Sequence, residues 1–285
     1  MTGIIAFQGW PGANSDIACR QVHPDWTSLP CPSFEDVIAA VHEGRARRAM
    51  IPIENSIAGR VADIHHLLPE SRLHIVAEHF LRISYHLVAV PGATLEEIRE
   101  VHSHVQSLGQ CRRWLRAHGL TPVVHADNAG AAKMVAELGD RRIAAIATPL
   151  AAQVYGLASL ATGIEDSEHN TTRFVIMQAE PTSPPADDGP VITSFVFEVR
   201  SVPAALYKAL GGFATNGVNV TKLESYMVGG RFSQAQFYAD VEGHPDELPL
   251  SRALEELRFF SRNFVLLGVY PGHPFRRDPA QIAED

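Results

Sequence analysis

The chain has 285 residues, of which 46% are hydrophobic and 20% charged, so it can bury a globular core and is long enough for one large domain or two smaller ones. Its formal net charge of -8 argues against a nucleic-acid surface, because phosphate binding depends on clustered Lys and Arg. Three cysteines without a C-x-x-C pair predict no disulfide framework. The N-terminus does not resemble a leader, and there is no apolar run of about 18 residues, so we expect a cytoplasmic protein with no membrane partner.

Short apolar strands alternate with helices through the first 180 residues. The pattern predicts strands at residues 3–7, 49–53, 73–90, 101–103, 122–126, 142–147 and 172–178, with helices beginning near residues 15, 33, 94, 107, 127 and 149. Ser33 with Asp36, and Thr94 with Glu97, have the spacing of capping boxes. Such alternation is typical of largely parallel sheets covered by helices.

A proline-rich segment, residues 180–190, follows this region and predicts a linker over 181–190. Beyond it, strands at 191–200, 219–228, 232–241 and 265–270 and two helices give the βαββαβ order of a ferredoxin-like domain, with Gly229-Gly230 as a hairpin turn. We therefore expect one domain over residues 1–180, a second over 191–272, and a loose polar tail over 273–285.

Polar runs follow several of the predicted strands, where ligands bind in open α/β sheets. The runs occupy residues 8–15, 54–59 and 104–107, and a fourth, residues 168–173, precedes a buried-looking strand. The spacing of Gly9 and Gly12 fits neither a dinucleotide fingerprint nor a P-loop. The histidine pairs at 65–66 and 102/104 lack acidic or thiol partners, so we expect no metal and no cofactor.

Four of these segments together resemble one enzyme family. The run Asn170-Thr171-Thr172-Arg173-Phe174 resembles the Asn-x-Thr-Arg-Phe signature of prephenate dehydratases and their arogenate-using relatives. Residues 52–59, 103–111 and 8–15 resemble the family's other signatures in order and spacing, although Val105 replaces a usual proline and Asn14 a common aromatic residue. The resemblance implies a two-lobed catalytic domain like that of periplasmic binding proteins.

The resemblance also implies the reaction, in which prephenate loses carbon dioxide and water to give phenylpyruvate. It assigns assistance of the leaving hydroxyl to Thr172, which we interpret as a hydrogen-bond donor. Arg173 is either a bidentate ligand of a substrate carboxylate or a buried tether, Glu54 orients its loop, and His104 tunes the proton inventory or holds its turn. The predicted substrate-binding residues are Asn55, Ser56, His104, Gln106, Ser107, Asn170, Thr171 and Arg173.

The C-terminal module resembles an ACT domain, the amino-acid-sensing unit that such enzymes carry. The run Asn219-Val220-Thr221-Lys222-Leu223-Glu224-Ser225 resembles the family's Asn-Leu-Thr-Lys-Ile-Glu-Ser, but Tyr226-Met227 replace the Arg-Pro that follows it. The resemblance implies phenylalanine as effector and a homodimer or homotetramer. The implied effector-binding residues are Ala204, Ala205, Leu206, Asn219, Glu224 and Ser225.

Two alternatives stay open on the sequence. An arogenate dehydratase performs the same chemistry on an amino rather than a keto side chain, and its signatures are the same. A small-molecule sensor built on the same two-lobed fold is the other, which the spacing of Asn170 and Thr172 disfavours.

Overall fold

The computed structural model describes residues 2–167, 169–186, 189–200, 202–227 and 235–277. These residues divide into two compact units, one of residues 2–60 and 80–174, the other of residues 61–79 and 175–277. Strands β5 and β11 run across the boundaries between them. Within the described part of the chain, no helix combines the length and hydropathy of a membrane span.

The elements of the first part of the chain agree with most of the predicted ones. In chain order they are β1 (Ile4–Gln8), α1 (Asn14–Val22), β2 (Thr27–Cys31), α2 (Phe34–His42), β3 (Arg48–Asn55), β4 (Gly59–Arg60), α3 (Ala62–Leu67), β5 (His74–Arg82), β6 (His86–Ala89), β7 (Glu100–Ser103), α4 (Val105–Gln110), α5 (Arg112–Ala117), β8 (Thr121–Val124), α6 (Asn128–Leu138), β9 (Ile143–Ala147), α7 (Pro149–Tyr155), β10 (Ala158–Thr162) and β11 (Thr171–Gln178).

The first unit contains two lobes. In lobe 1, β1 pairs in parallel with β2 and β3, and α1 and α2 pack on these strands. In lobe 2, five strands form a sheet in the order β10-β6-β9-β7-β8, with α6 packed on β9 and α7 packed on α6 and β10. The β7 pairings are parallel, but β6 pairs antiparallel with both β9 and β10, so this sheet is mixed rather than largely parallel.

Local capping signals predicted several helix ends correctly. Ser33 accepts a hydrogen bond from the Asp36 amide, Asp127 caps α6, and Thr148 caps α7 ahead of Pro149. The predicted helix after Thr94 is wrong: Glu97 Oε2 does accept from the Thr94 amide, but the chain makes only a turn before entering β7. A capping contact alone does not make a helix, because a segment this short forms too few backbone hydrogen bonds to offset the free-energy cost of nucleation.

The predicted helix over 107–119 is two helices, α4 and α5, separated at Cys111. There the Asp166 amide donates to Gln110 O, and the Asp166 carboxylate accepts from the Arg113 amide. Asp166, more than 50 positions along the chain, thus ends α4 and caps α5. The local hydrophobic periodicity of the sequence gives no sign of a contact from so far away. Similarly, the predicted strand over 73–90 is two strands, β5 and β6, and the sequence did not predict α3, β2, β4 or β10.

The second unit contains the predicted βαββαβ order: β12 (Val191–Val199), α8 (Ala205–Thr215), β13 (Val220–Met227), β14 (Ala235–Glu242), α9 (Leu248–Phe260) and β15 (Ser261–Pro271). Its strands are ordered β13-β14-β12-β15, which is the ferredoxin-like arrangement, and β15 continues to β5. Phe195, Phe197 and Phe237 pack with Phe213 of α8 and Leu254 of α9. The predicted turn at Gly229-Gly230 lies outside the described residues.

Two segments predicted to make no contacts do make them. In the predicted linker, the Ser183 hydroxyl lies 2.8 Å from His244 Nε2. In the predicted loose tail, Arg276 pairs with the buried Glu78 through distances of 2.6 and 2.9 Å and lies 3.9 Å from Asp240. Residues 273–277 are therefore held in place, because the buried carboxylates of Glu78 and Asp240 need a cation nearby. The predicted domain boundaries at 181–190 and 272 stay a prediction.

Ala204 is the residue before α8 and has the left-handed backbone angles φ 58° and ψ 29°. We expect Ala204→Gly to raise the free energy of unfolding by about 1 kcal/mol, since glycine adopts this conformation without the Cβ clash. Urea titration measures the change. The matched control, Ala214→Gly on an exposed position of α8, should lose about 0.5–1 kcal/mol; losses of the same size in both variants would contradict the expectation.

Candidate active site

The end of β3 and the beginning of β11 meet through the side chain of Asn55. Its Oδ1 accepts from the amides of Ile57 and Ala58 at 3.0 and 2.8 Å, which fixes the turn after β3. Its Nδ2 donates to Asn170 Oδ1 at 2.7 Å and to Thr172 Oγ1 at 3.0 Å. One carboxamide thus orients two of the polar side chains that the sequence singled out.

The Thr172 hydroxyl is consequently left with a donor role. Because Oγ1 accepts the hydrogen bond from Asn55, the hydroxyl proton is directed elsewhere. Thr172 is half-buried at the second position of β11. Such a group can donate a hydrogen bond to a ligand oxygen from a fixed position.

The neighbouring residues hold this arrangement together. The Ser56 amide donates to Thr171 O at 2.8 Å, and the Thr171 amide donates back to Ser56 Oγ at 2.9 Å. Ser56 Oγ donates to His169 O at 2.8 Å. Asn170 is 1% exposed and accepts from Asn55. Asn170 and Thr171 therefore use most of their hydrogen-bonding groups within the protein.

Arg173 is buried, with its side chain 2% exposed and its NH1 2.9 Å from Glu54 Oε1. The Glu54 side chain is 31% exposed. Of the two roles that the sequence left open for Arg173, this geometry favours the tether, because the ion pair fastens the end of β3 to β11. Its predicted contact with substrate stays a prediction.

A second polar group surrounds Ser107 in the first turn of α4, which is buried. Its Oγ lies 2.9 Å from the Tyr85 hydroxyl and 3.0 Å from Asn128 Oδ1. Burial raises the pKa of Tyr85 to about 12, so Tyr85 keeps its proton at neutral pH. Tyr85 can then donate to Ser107 Oγ while Ser107 donates to Asn128.

The side-chain oxygen of Asn128, at the start of α6, accepts several hydrogen bonds. This Oδ1 also lies 2.9 Å from Ser103 Oγ and accepts from the His104 amide at 3.2 Å. Ser103 has a closer acceptor in Ile146 O at 2.7 Å. One amide oxygen thus joins the end of β7 and the first turn of α4 to the start of α6.

His104 caps α4, because its Nδ1 accepts from the Gln106 amide at 3.3 Å. This contact fits the turn-holding role that the sequence left open for His104. The Gln106 side chain is exposed. Among the predicted binding residues of lobe 2, Gln106 is therefore the most accessible to a ligand.

The predicted site residues thus form two groups in the first unit: Asn55, Ser56 and Asn170 to Arg173 in one, His104, Gln106 and Ser107 in the other. They are joined where Asn170 Nδ2 donates to Gln110 Oε1 at 2.9 Å. The sequence missed Tyr85, Gln110 and Asn128 as site residues. The sequence does contain signals for two of them. Gln110 lies inside the signature run of residues 103–111, and Asn128 follows Asp127, which caps α6 just after β8.

The N-terminal polar run is held against lobe 2. Thr148 Oγ1 donates to Gly12 O at 2.5 Å and Tyr155 donates to Pro11 O at 3.0 Å. Gly12 has φ +88°, and a Cβ there would lie 2.6 Å from Ala151 Cα. Glycine is therefore required at this position, both for its backbone conformation and for the close approach of α7.

Asn128→Ala should lower the free energy of unfolding by about 1–3 kcal/mol, because the buried Ser107 hydroxyl loses its acceptor. Urea unfolding followed by circular dichroism measures it. Asn128→Asp keeps acceptor oxygens at the same place and should lose much less. Equal losses would show that packing, rather than the acceptor, is what Asn128 supplies.

The predicted effector residues lie in the second unit. Ala204 and Ala205 are at the start of α8, and Leu206 packs on the core beneath it. Asn219 precedes β13 and its Nδ2 donates to Glu242 at 3.0 Å. Ser225 is six residues further along the chain, or about 20 Å at the usual strand rise, so Asn219 and Ser225 lie near opposite ends of β13.

A two-lobed α/β unit with hydroxyl and amide groups gathered at its strand ends is typical of proteins that bind small polar molecules. The chain belongs to the prephenate dehydratase family, whose model matches residues 5–182. It is accordingly a carbon–oxygen lyase of aromatic amino acid biosynthesis.

Similar proteins include enzymes with more than one activity. The chain is 54% identical over 276 residues, covering 97% of it and 98% of the relative, to a bifunctional N-acyl-homoserine lactone acylase/prephenate dehydratase of Komagataeibacter europaeus. It is 37% identical to arogenate dehydratase/prephenate dehydratase 1 of Arabidopsis thaliana, covering 94% of the chain and 71% of the relative. The crystal structure of the Arthrobacter aurescens prephenate dehydratase in complex with L-Phe matches with a TM-score of 0.86 at 29% identity, covering 98% of this chain and 96% of that one.

Proposed function

We propose that the protein converts prephenate to phenylpyruvate, with Thr172 assisting departure of the ring hydroxyl. The observation that carries the proposal is the hydrogen bond from Asn55 Nδ2 to Thr172 Oγ1. It occupies the threonine oxygen as an acceptor and so leaves the hydroxyl proton for the substrate. Family membership supplies the reaction class.

The chemistry explains why a positioned donor matters. The bond between the ring and its carboxylate breaks, its electrons enter the ring, and the hydroxyl on the opposite carbon leaves, so that prephenate and one proton yield phenylpyruvate, carbon dioxide and water. Hydroxide is a poor leaving group, and a donor to its oxygen stabilises the charge that develops there. A threonine hydroxyl is too weak an acid to give its proton outright, so the proton comes ultimately from water.

Both carboxylates of prephenate need donors. We assign these first to Gln106, which is exposed; Ser56 and Ser107 can donate to the substrate when it displaces the bonds that their hydroxyls make to His169 O and Asn128 Oδ1. Asn55, Asn170 and Thr171 hold the Thr172 side of the site, and His104 and Arg173 hold its loops. This division follows from the partners that each side chain already has.

The substrate alternative is arogenate, which differs from prephenate by an ammonium in place of the keto oxygen. Turnover on both substrates under identical conditions tests the assignment, with phenylpyruvate followed by its absorbance in alkali and phenylalanine by chromatography. A higher kcat/KM on prephenate supports the proposal. A higher value on arogenate would reassign the substrate, and no turnover on either would overturn the dehydratase function.

We also propose that residues 191–272 are an ACT regulatory domain that binds L-phenylalanine between two copies of the chain. The separation of Asn219 from Ser225 along β13 supports a shared site, because two chains can present opposite ends to one ligand. The L-Phe complex of the Arthrobacter aurescens enzyme supports the choice of ligand. Calorimetric titration with phenylalanine, together with light scattering for a dimer or tetramer, tests both parts.

A second candidate activity is hydrolysis of N-acyl-homoserine lactones, which the name of the Komagataeibacter europaeus relative includes. Water would cleave the amide bond, giving a fatty acid and homoserine lactone. The observation that favours it is 54% identity over nearly the whole of both chains. Release of homoserine lactone from octanoyl-homoserine lactone, measured by mass spectrometry, tests it.

A further inference from the structure

The first unit contains a cavity of about 610 Å³ that neither polar group of the candidate active site lines. We call it the Trp10 cavity. Residues at and just beyond the ends of β1 and β2 line one side, and residues around the N-cap of α6, in the middle of α6 and at the end of α7 line the other. The lining includes Gln8, Trp10, Cys31, Ala126, Lys133 and Tyr155.

The walls of the Trp10 cavity are mostly apolar. Trp10 is 44% exposed and lines the cavity. Prolines 11, 30 and 32 continue the same wall. Cys31 is 4% exposed, and burial raises the pKa of its thiol, so it is a neutral, small apolar side chain.

The charged and hydroxyl groups at the cavity already have partners in the protein. Lys133 Nζ lies 3.9 Å from the centroid of the Trp10 ring and 3.8 Å from Glu137 Oε1. The Asp127 carboxylate caps α6, and the Tyr155 hydroxyl donates to Pro11 O. Lys133 is the one cation among the described lining residues and Asp127 is an anion, so the cavity does not offer the two cationic partners that a dicarboxylate such as prephenate needs.

One polar group is available at the wall. The Gln8 carboxamide nitrogen is 3.5 Å from Pro32 O, at the outer limit of a hydrogen bond. It can therefore turn to donate to the carbonyl of an amide at little cost. A ligand with a long apolar part and one amide fits this combination, and 610 Å³ is within the usual range of small-molecule pockets.

We infer that the Trp10 cavity binds the acyl chain of an N-acyl-homoserine lactone, with the amide carbonyl near Gln8. The inference rests on the second activity proposed above, since that activity needs a place for the chain. Affinity should then rise with chain length by about fourfold per methylene, which corresponds to about 0.8 kcal/mol of apolar burial, until the cavity is full.

Calorimetric titration of the full-length protein with butanoyl-, hexanoyl-, octanoyl- and decanoyl-homoserine lactone tests the length dependence. Ala126→Phe places a ring at the cavity from an exposed position, and Ala126→Ser is the matched control. We expect Ala126→Phe to weaken octanoyl binding at least tenfold and to abolish the length dependence, while Ala126→Ser binds as the wild type does. Turnover of prephenate, measured on the same samples, shows that both variants are folded.

The outcomes separate the cavity from the activity. Length-independent binding by the wild type, or unchanged length dependence in Ala126→Phe, would overturn the assignment of the cavity even if hydrolysis occurs. Binding that follows chain length and is lost in Ala126→Phe supports the cavity even if no homoserine lactone is released, in which case the acylase activity alone fails. Absence of binding at any length would overturn the inference.

Discussion

Thr172→Ala should lower kcat on prephenate at least about a hundredfold, which is the lower end of what positioned acid catalysis contributes. The Michaelis constant should change little, because the hydroxyl is needed where charge develops on the leaving oxygen rather than in the bound substrate. Steady-state kinetics with phenylpyruvate absorbance in alkali measures both constants.

Two further variants separate the hydroxyl from the shape of the side chain. Thr172→Ser keeps the oxygen that accepts from Asn55 and should retain most of the activity. Thr172→Val keeps the volume, lacks the hydroxyl, and should resemble the alanine variant. Near-normal kcat in the valine variant would remove Thr172 from the mechanism, whatever the serine variant does.

The second large effect is on stability and lies in the second unit. Arg276→Met should lower the free energy of unfolding by about 3–5 kcal/mol, as breaking a buried ion pair from one side does. Arg276 reaches Glu78, whose side chain is 0% exposed, through two hydrogen bonds of 2.6 and 2.9 Å. Its removal withdraws the cation from that carboxylate and from Asp240 nearby. Urea unfolding measures the loss.

The neighbouring residue provides the control. Arg277 is exposed, and Arg277→Met should change the stability by no more than about 0.5 kcal/mol. The double variant Glu78→Met with Arg276→Met removes both charges and should be more stable than Arg276→Met alone. If Arg276→Met is as stable as Arg277→Met, residues 273–277 contribute no more than the loose tail that composition suggested.

Elements with local signals in the sequence were predicted closely, whereas features produced by distant residues were not. Helix α6 was predicted closely because its signals are local: Asp127 caps its beginning, and Gly139 ends it in a left-handed conformation. The break between α4 and α5 was not predicted, because Asp166 produces it from a distance. The short strands β2 and β10 owe their pairing to neighbours in the sheets rather than to their own alternation.

For the candidate site, the residue types and their spacing were enough to indicate the family and to select Thr172, because signatures of this kind are runs of adjacent residues. The partners of those residues were not predictable in the same way. Asn128 accepts from Ser103 and Ser107, more than 20 positions away, and Arg173 pairs with Glu54, 119 positions away. The sequence by itself indicated the family and the βαββαβ order of the second unit, and it selected Thr172 as the hydroxyl to test. Only the tertiary structure decided that Thr172 Oγ1 accepts from Asn55, that the Thr172 proton is left to donate, and that Arg173 is buried. Hydrogen bonds and burial depend on distances between segments, and the linear pattern of residues does not contain these distances.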